Sequence, residues 1–204
     1  MMMKRNFVLL MMMVTCTVTS LEAQSDYKAG VMAFRDSTNR AFADTATSIL
    51  MPQDIPGFHG LEFFPINEKF RVKAKFTRIK IAQAVPMKTS GTRTPPYKPY
   101  GWLDFKIDKK KFRLTLYQSV DPQRPHLNNY LLLAFTDLTT GQECYGGGRY
   151  LEFTTDEVQK KMVVDFNFCY NPYCAYNNKY SCVIPPAENF LDVRIEAGVK
   201  KFHE

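Results

Sequence analysis

The sequence predicts a mainly β fold, a single antiparallel β-barrel or roll with an N-terminal amphipathic helix. Three observations predict it. Only residues 26–50 carry helical spacing, and the chain beyond residue 50 breaks into short runs of period two separated by turns. Phe and Tyr together number 27 of 204 residues, a composition suited to the half-buried face of a sheet. With the first 23 residues set aside, about 180 remain, enough for one well-buried core and awkward for two. No linker, repeat or low-complexity stretch divides them.

Residues 1–23 read as a cleavable secretory signal. Lys4 and Arg5 form a short basic region, and Phe7 to Val18 is apolar apart from Thr15, Cys16 and Thr17. Ser20-Leu21-Glu22-Ala23 then ends on a small residue before Gln24. The apolar stretch is about a dozen residues against the roughly twenty that span a bilayer, which makes a retained anchor the weaker alternative. Met13-Val14-Thr15 is likewise a poor approach to a lipidated Cys16. No later segment is apolar and long enough to cross a membrane. The expected mature protein is periplasmic or secreted, one β-rich domain over residues 24–204.

Val31, Phe34, Thr38, Phe42 and Ile49 fall at loosely helical spacing, giving one helix with a break near Ala46, a lid over one end or face of a sheet. Met51-Pro52 and Ile55-Pro56-Gly57 end it. Phe70 to Ile79 alternates apolar and polar, the mark of a strand with one wet face. Trp102–Ile107 and Phe112–Val120 repeat the habit around a turn at Asp108-Lys109-Lys110-Lys111, a hairpin. Tyr130 to Phe135 is apolar at consecutive positions, as a central strand buried on both faces requires. Arg149–Thr154 and Met162–Phe166 read as a second hairpin, and Asp192–Ile195 as a last short strand.

The net charge is +7, with basic clusters at Lys69–Lys80 and Lys106–Arg113. An anionic partner such as a membrane surface or acidic glycan would explain them, and so would plain solvation of two strand faces, which we favour. A nucleic-acid partner is not expected, because no basic helix or RNA-binding signature occurs. Removing the signal leaves Cys144, Cys169, Cys174 and Cys182, an even number that suggests disulfides in an oxidising compartment. Zinc is the weaker alternative, since the Cys169-x4-Cys174-x7-Cys182 spacing lacks the tight pairs of a zinc ribbon.

Three C-terminal segments concentrate unusual chemistry. Tyr145-Gly146-Gly147-Gly148-Arg149-Tyr150-Leu151 comes first, after Phe135 to Gly141. Asp165-Phe166-Asn167 and Tyr170-Asn171-Pro172-Tyr173-Cys174-Ala175 come next, then Pro185-Pro186-Ala187-Glu188-Asn189 ahead of Ala197-Gly198. In this order the blocks resemble domain-of-unknown-function family 1684, most closely over residues 130–198, with Gly60 to Pro65 resembling a further family block. The resemblance implies a fold and a set of positions, and no established activity. It also implies a Cys174–Cys182 bridge, because both cysteines match family positions. Cys144 and Cys169 fall where the family carries threonine and alanine. Flanking the expected second hairpin, they are expected to add a Cys144–Cys169 bridge. Val199 stands where the family carries glutamate, which removes that residue from any role here.

The candidate site is drawn from these blocks. The glycines permit close backbone approach, and the Arg149 fork could hold a carboxylate or phosphate. The alternative is a glycine bulge with Arg149 paired to Asp165 or Asp137. A ligand pocket would draw on Tyr145, Arg149, Asp165, Asn167, Asn171 and Asn189. Asp137 and Asp165 are the candidate general acid and base of a small-substrate hydrolase, or else partners in structural ion pairs. Tyr170, Tyr173, Tyr176 and Tyr180 could stack on a sugar or simply pack. His59, His126 and His203 are isolated, no metal spacing or Gly-x-Ser-x-Gly elbow occurs, and no cofactor motif is present. The expected function is therefore a non-catalytic envelope protein binding a small molecule or envelope component on a β scaffold, with the hydrolase as alternative. Buried, mutually paired blocks would make them architecture and place the binding site elsewhere.

Overall fold

The computed structural model describes residues 24–203. The expected signal, residues 1–23, lies outside the described residues. The described residues part into two compact units that divide between Arg40 and Ala41. The described part of the first belongs to a helix, α1, over residues 24–43.

Helix α1 stops where Asp44 offers the backbone another partner. Its carboxylate accepts the Ala46 N–H at 3.0 Å and the Thr47 hydroxyl at 2.9 Å, and its carbonyl accepts the Ser48 N–H at 2.7 Å. Such local bonds compete with the helical ladder, so the helix is shorter than the 26–50 spacing suggests.

The second unit is an antiparallel sheet curled into a half-barrel. Its strands are β1 (Arg71–Arg78), β2 (Val85–Pro86), β3 (Pro96–Ile107), β4 (Lys110–Ser119), β5 (Tyr130–Asp137), β6 (Arg149–Thr154), β7 (Lys161–Asp165) and β8 (Phe190–Leu191). The order is β6-β5-β4-β3-β1-β7, with β2 added to β3 and β8 running parallel beside β5. The expected β3–β4 hairpin forms, Ile107 facing Lys110 across a turn where Asp108 takes a positive φ of 53°. Aspartate tolerates that conformation better than most residues.

The expected second hairpin does not form. β6 pairs with β5 and β7 with β1, at opposite ends of the strand order. Both are short strands with an apolar inner row, and either row can meet any strand whose inner row is also apolar. Leu151 joins Leu131, Leu133 and Phe135, while Val164 joins Val72 and Ala74. The 192–195 segment is likewise a bend and loop rather than a strand, and the short strand β8 lies just before it.

Alternation sorts the side chains as expected. Val72 and Ala74 point into the core with Leu103, Phe105, Leu114 and Leu116, whereas Arg71, Lys73 and Lys75 are exposed. β5 is apolar on both faces because both are covered. Leu131, Leu133 and Phe135 fill the inner core, while Leu132 and Ala134 join a second cluster with Met87, Tyr97, Tyr117, Tyr150 and Val183. A bulge between Pro99 and Gly101 lets β3 serve both, sending Tyr97 to the second cluster and Leu103 to the first.

β4 and β5 pair only at Tyr117–Leu132 and Gln118–Leu131. Beyond that point Asn189, fully buried, fills the gap. Its Oδ1 accepts the Thr115 N–H at 2.7 Å, and its Nδ2 donates to the carbonyls of Thr115 at 2.9 Å and Ala134 at 2.8 Å. One side-chain amide thus stands in for a stretch of strand and satisfies groups that would otherwise be orphaned.

Candidate functional site

Arg149 and Asp137, two of the three residues of the hydrolase alternative, are 1% and 3% exposed. Arg149 Nη2 lies 3.3 Å from Asp137 Oδ2 and donates to the Ile195 carbonyl at 2.8 Å, while Nη1 donates to the Ala197 carbonyl at 2.5 Å. Asp137 also accepts the Ile195 N–H at 2.6 Å and the Thr139 hydroxyl at 2.8 Å. These contacts tie the end of β5 and the start of β6 to the 195–197 segment. Asp165 is not part of this cluster. It pairs with Arg71 at 3.6 Å and accepts the Asn167 N–H at 3.0 Å, capping the 3-10 turn Phe166–Phe168.

The other sequence candidates also face backbone. Asn167 accepts from the Asn67 N–H and donates to the Asn67 carbonyl, both at 2.9 Å. Asn171 donates to the Lys200 carbonyl at 2.8 Å. Gly148 sits at φ +81°, where a Cβ would come within 2.6 Å of the Phe135 carbonyl. A Cβ on Gly147 would meet the Tyr145 ring at 2.3 Å. The triple glycine is thus a close-packed turn, and Tyr145 points from it to Cys174, its hydroxyl 3.7 Å from that sulfur. Burial, with Cys174 adding to it, pushes the Tyr145 phenol up to about 12.

The four cysteines among the described residues are free thiols, so neither expected bridge is formed. Cys144 and Cys169 do reach one segment, their thiols donating to the carbonyls of Val199 at 3.7 Å and Ala197 at 3.5 Å. Burial raises both pKa values, that of Cys169 to about 12. Cys174 and Cys182 lie together and half-buried, with the Cys174 N–H 3.3 Å from Cys182 Sγ.

An open concavity lies elsewhere, on the outer face of β3 and β4. Its volume is about 790 Å³, within the range of small-molecule sites. Trp102 and Thr115 face each other across the hairpin, with Pro99 and Tyr117 alongside. The opposite wall is the β1–β2 connection with the first residue of β2, where Ile81 and Val85 are exposed, and Glu188 also lines the cleft. Arg113 lies 5.1 Å from the Trp102 ring centre and is held by a fork to Asp104, with contacts of 2.7 and 3.0 Å. Tyr117 donates its hydroxyl to Glu188. Burial, followed by that carboxylate, raises the Tyr117 pKa, so the phenol stays a donor.

Sequence reasoning missed Trp102, Tyr117 and Glu188 as site residues. Alternation and the hairpin register place Trp102 beside Thr115 on one face. The wall contributed by residues 79–85 was not legible, because it carries no period.

The family model for a protein of unknown function, DUF1684, matches residues 56–200. The chain belongs to this family. Among solved structures, this DUF1684 chain is similar to the uncharacterized protein from gene locus rrnAC0354 of Haloarcula marismortui, known from a solution NMR structure. The two are 32% identical, with a TM-score of 0.66, over 88% of this chain and 96% of that one. None of the curated proteins is similar to the chain. Within this DUF1684 chain the Pro-Pro-x-Glu-Asn block divides its labour, Asn189 holding β4 to β5 and Glu188 turning outward to the cleft.

Proposed function

We propose that this DUF1684 protein is an exported, non-catalytic binding protein whose ligand lies in the cleft over Trp102. The observation that carries the reading is the contrast between two sets of groups. Arg149, Asp137, Asn167 and Asn189 are buried, and the bonds they make run mainly to backbone and between Arg149 and Asp137. The outer cleft instead combines an aromatic floor, an aliphatic wall and one carboxylate. Arg113 is neutralised by Asp104, while Glu188 accepts from a neutral phenol, so the lining favours a flat apolar ligand with a cationic or donor group.

Trp102 is the sole tryptophan in the sequence, which makes its fluorescence a direct reporter. Titration with 4-phenylbenzylamine is expected to change that emission saturably, and 4-phenylbenzoate is expected to bind more weakly. The preference should be about fivefold, the worth of a rim charge near 1 kcal/mol, and Glu188→Gln should abolish it. No saturable change with either compound would overturn the reading. Support for export comes from Lys4, Arg5, the apolar Phe7–Val18 stretch and Ala23. N-terminal sequencing of protein recovered outside the cytoplasm is expected to begin at Gln24, and an intact Met1 on that protein would count against cleavage.

A further inference from the structure

The four thiols among the described residues fall into two environments. Cys144 and Cys169 are 1% and 0% exposed, whereas Cys174 and Cys182 are half-buried and side by side. Cys174 sits on the 3-10 turn Tyr173–Ala175 after Pro172. Cys182 is fixed on a neighbouring stretch, its N–H bonded to Ser90 Oγ at 3.0 Å and its carbonyl to the Ser90 N–H at 2.8 Å. The Cys174 N–H meets Cys182 Sγ at 3.3 Å, and the Tyr145 hydroxyl lies 3.7 Å from Cys174 Sγ. Two sulfurs, a phenol and a backbone donor thus converge at a surface within reach of a reagent.

We infer that Cys174 and Cys182 form a thiol–disulfide exchange site, Cys174 attacking and Cys182 resolving, for a disulfide carried by a small molecule or another protein. In the first step the Cys174 thiolate bonds one sulfur of that disulfide, and the other sulfur leaves as a thiolate and takes up a proton. Cys182 then gives up its proton and attacks Cys174 Sγ. The Cys174–Cys182 bond forms as the second partner sulfur leaves. Two protein thiols are oxidised and one disulfide is reduced to two thiols. The hydrogen bond from Cys182 pulls the Cys174 thiol down to about 6 against the effect of burial, with Ser90 and Tyr145 assisting. The same bond pushes the Cys182 thiol up. The Tyr145 hydroxyl, 3.7 Å from Cys174 Sγ, is placed to donate to the attacking thiolate that exchange requires.

The test treats the reduced full-length mature chain with oxidised glutathione at pH 7 and maps the products by mass spectrometry. The wild type is expected to end as a Cys174–Cys182 disulfide without bound glutathione. Cys182→Ser is expected to accumulate one glutathione on Cys174, and Cys174→Ser to react about tenfold more slowly or less. Glutathione on Cys144 or Cys169 of the native chain, or none on Cys174 of Cys182→Ser, would overturn the assignment. Iodoacetamide labelling of the unmutated chain removes any dependence on a variant folding. Half-maximal labelling of Cys174 near pH 6 supports the site, and a midpoint in the ordinary thiol range overturns it. A bridge that resists excess reduced glutathione would be a structural clamp, and would also overturn exchange.

Discussion

Arg149→Met is expected to lower stability by about 3–5 kcal/mol in a urea titration, the cost of removing one partner from a buried ion pair. The substitution keeps most of the side-chain volume and removes every donor. Asp137 then holds an uncompensated charge at 3% exposure, and the carbonyls of Ile195 and Ala197 lose their guanidinium partners. Asp137 still accepts the Ile195 N–H and the Thr139 hydroxyl, which limits the loss. Adding Asp137→Asn removes the stranded charge and should recover part of the stability. The double variant is thus expected to unfold later than Arg149→Met alone. A single-variant loss below about 1 kcal/mol would mean the pair is not what joins β5 and β6 to the 195–197 segment. No residue of this network lines the cleft, so the folded fraction should bind 4-phenylbenzylamine as the wild type does.

What the sequence disclosed was local. The alternation of β1, the β3–β4 hairpin and the two-sided burial of β5 each lie within a short stretch of consecutive residues, and each is present. The partners of β6 and β7 depend on contacts far apart in sequence, and an apolar alternate row does not say which row it will meet. The same divide runs through the polar residues. Asn189 and Arg149 advertise how many bonds they can make, but nothing in the chain says that their partners are Thr115, Ala134, Ile195 and Ala197. The glycine-bulge alternative for Gly146-Gly147-Gly148 was readable, because a close turn needs that residue type whatever it packs against. Trp102 was readable as a strand residue and hidden as a site residue, since a cleft needs a second wall. Cys174 and Cys182 were legible as a pair through the family blocks, while their separation from the buried Cys144 and Cys169 required the fold.

Asn189→Leu is expected to cost about 3–6 kcal/mol, because it strands three buried backbone groups at roughly 1–3 kcal/mol each, and part of that is relieved by relaxation. The Thr115 N–H and the carbonyls of Thr115 and Ala134 have no strand partner at this point, since β4 and β5 have already parted. Asn189→Asp isolates the donor role. The carboxylate still accepts from Thr115 but now faces two carbonyls, so its pKa in the folded protein is raised above the unfolded value. The folded state then binds the extra proton more readily, and this variant should gain stability as pH falls from that raised pKa towards about 4, opposite to an ordinary paired carboxylate. A flat stability profile over that range would show that water reaches the gap. Because Glu188 is the preceding residue, Asn189→Leu should also shift the carboxylate that Tyr117 holds and weaken ligand binding in the folded fraction. Arg149→Met with Asp137→Asn should not, and that difference ties the Pro-Pro-x-Glu-Asn block to the cleft rather than to stability alone.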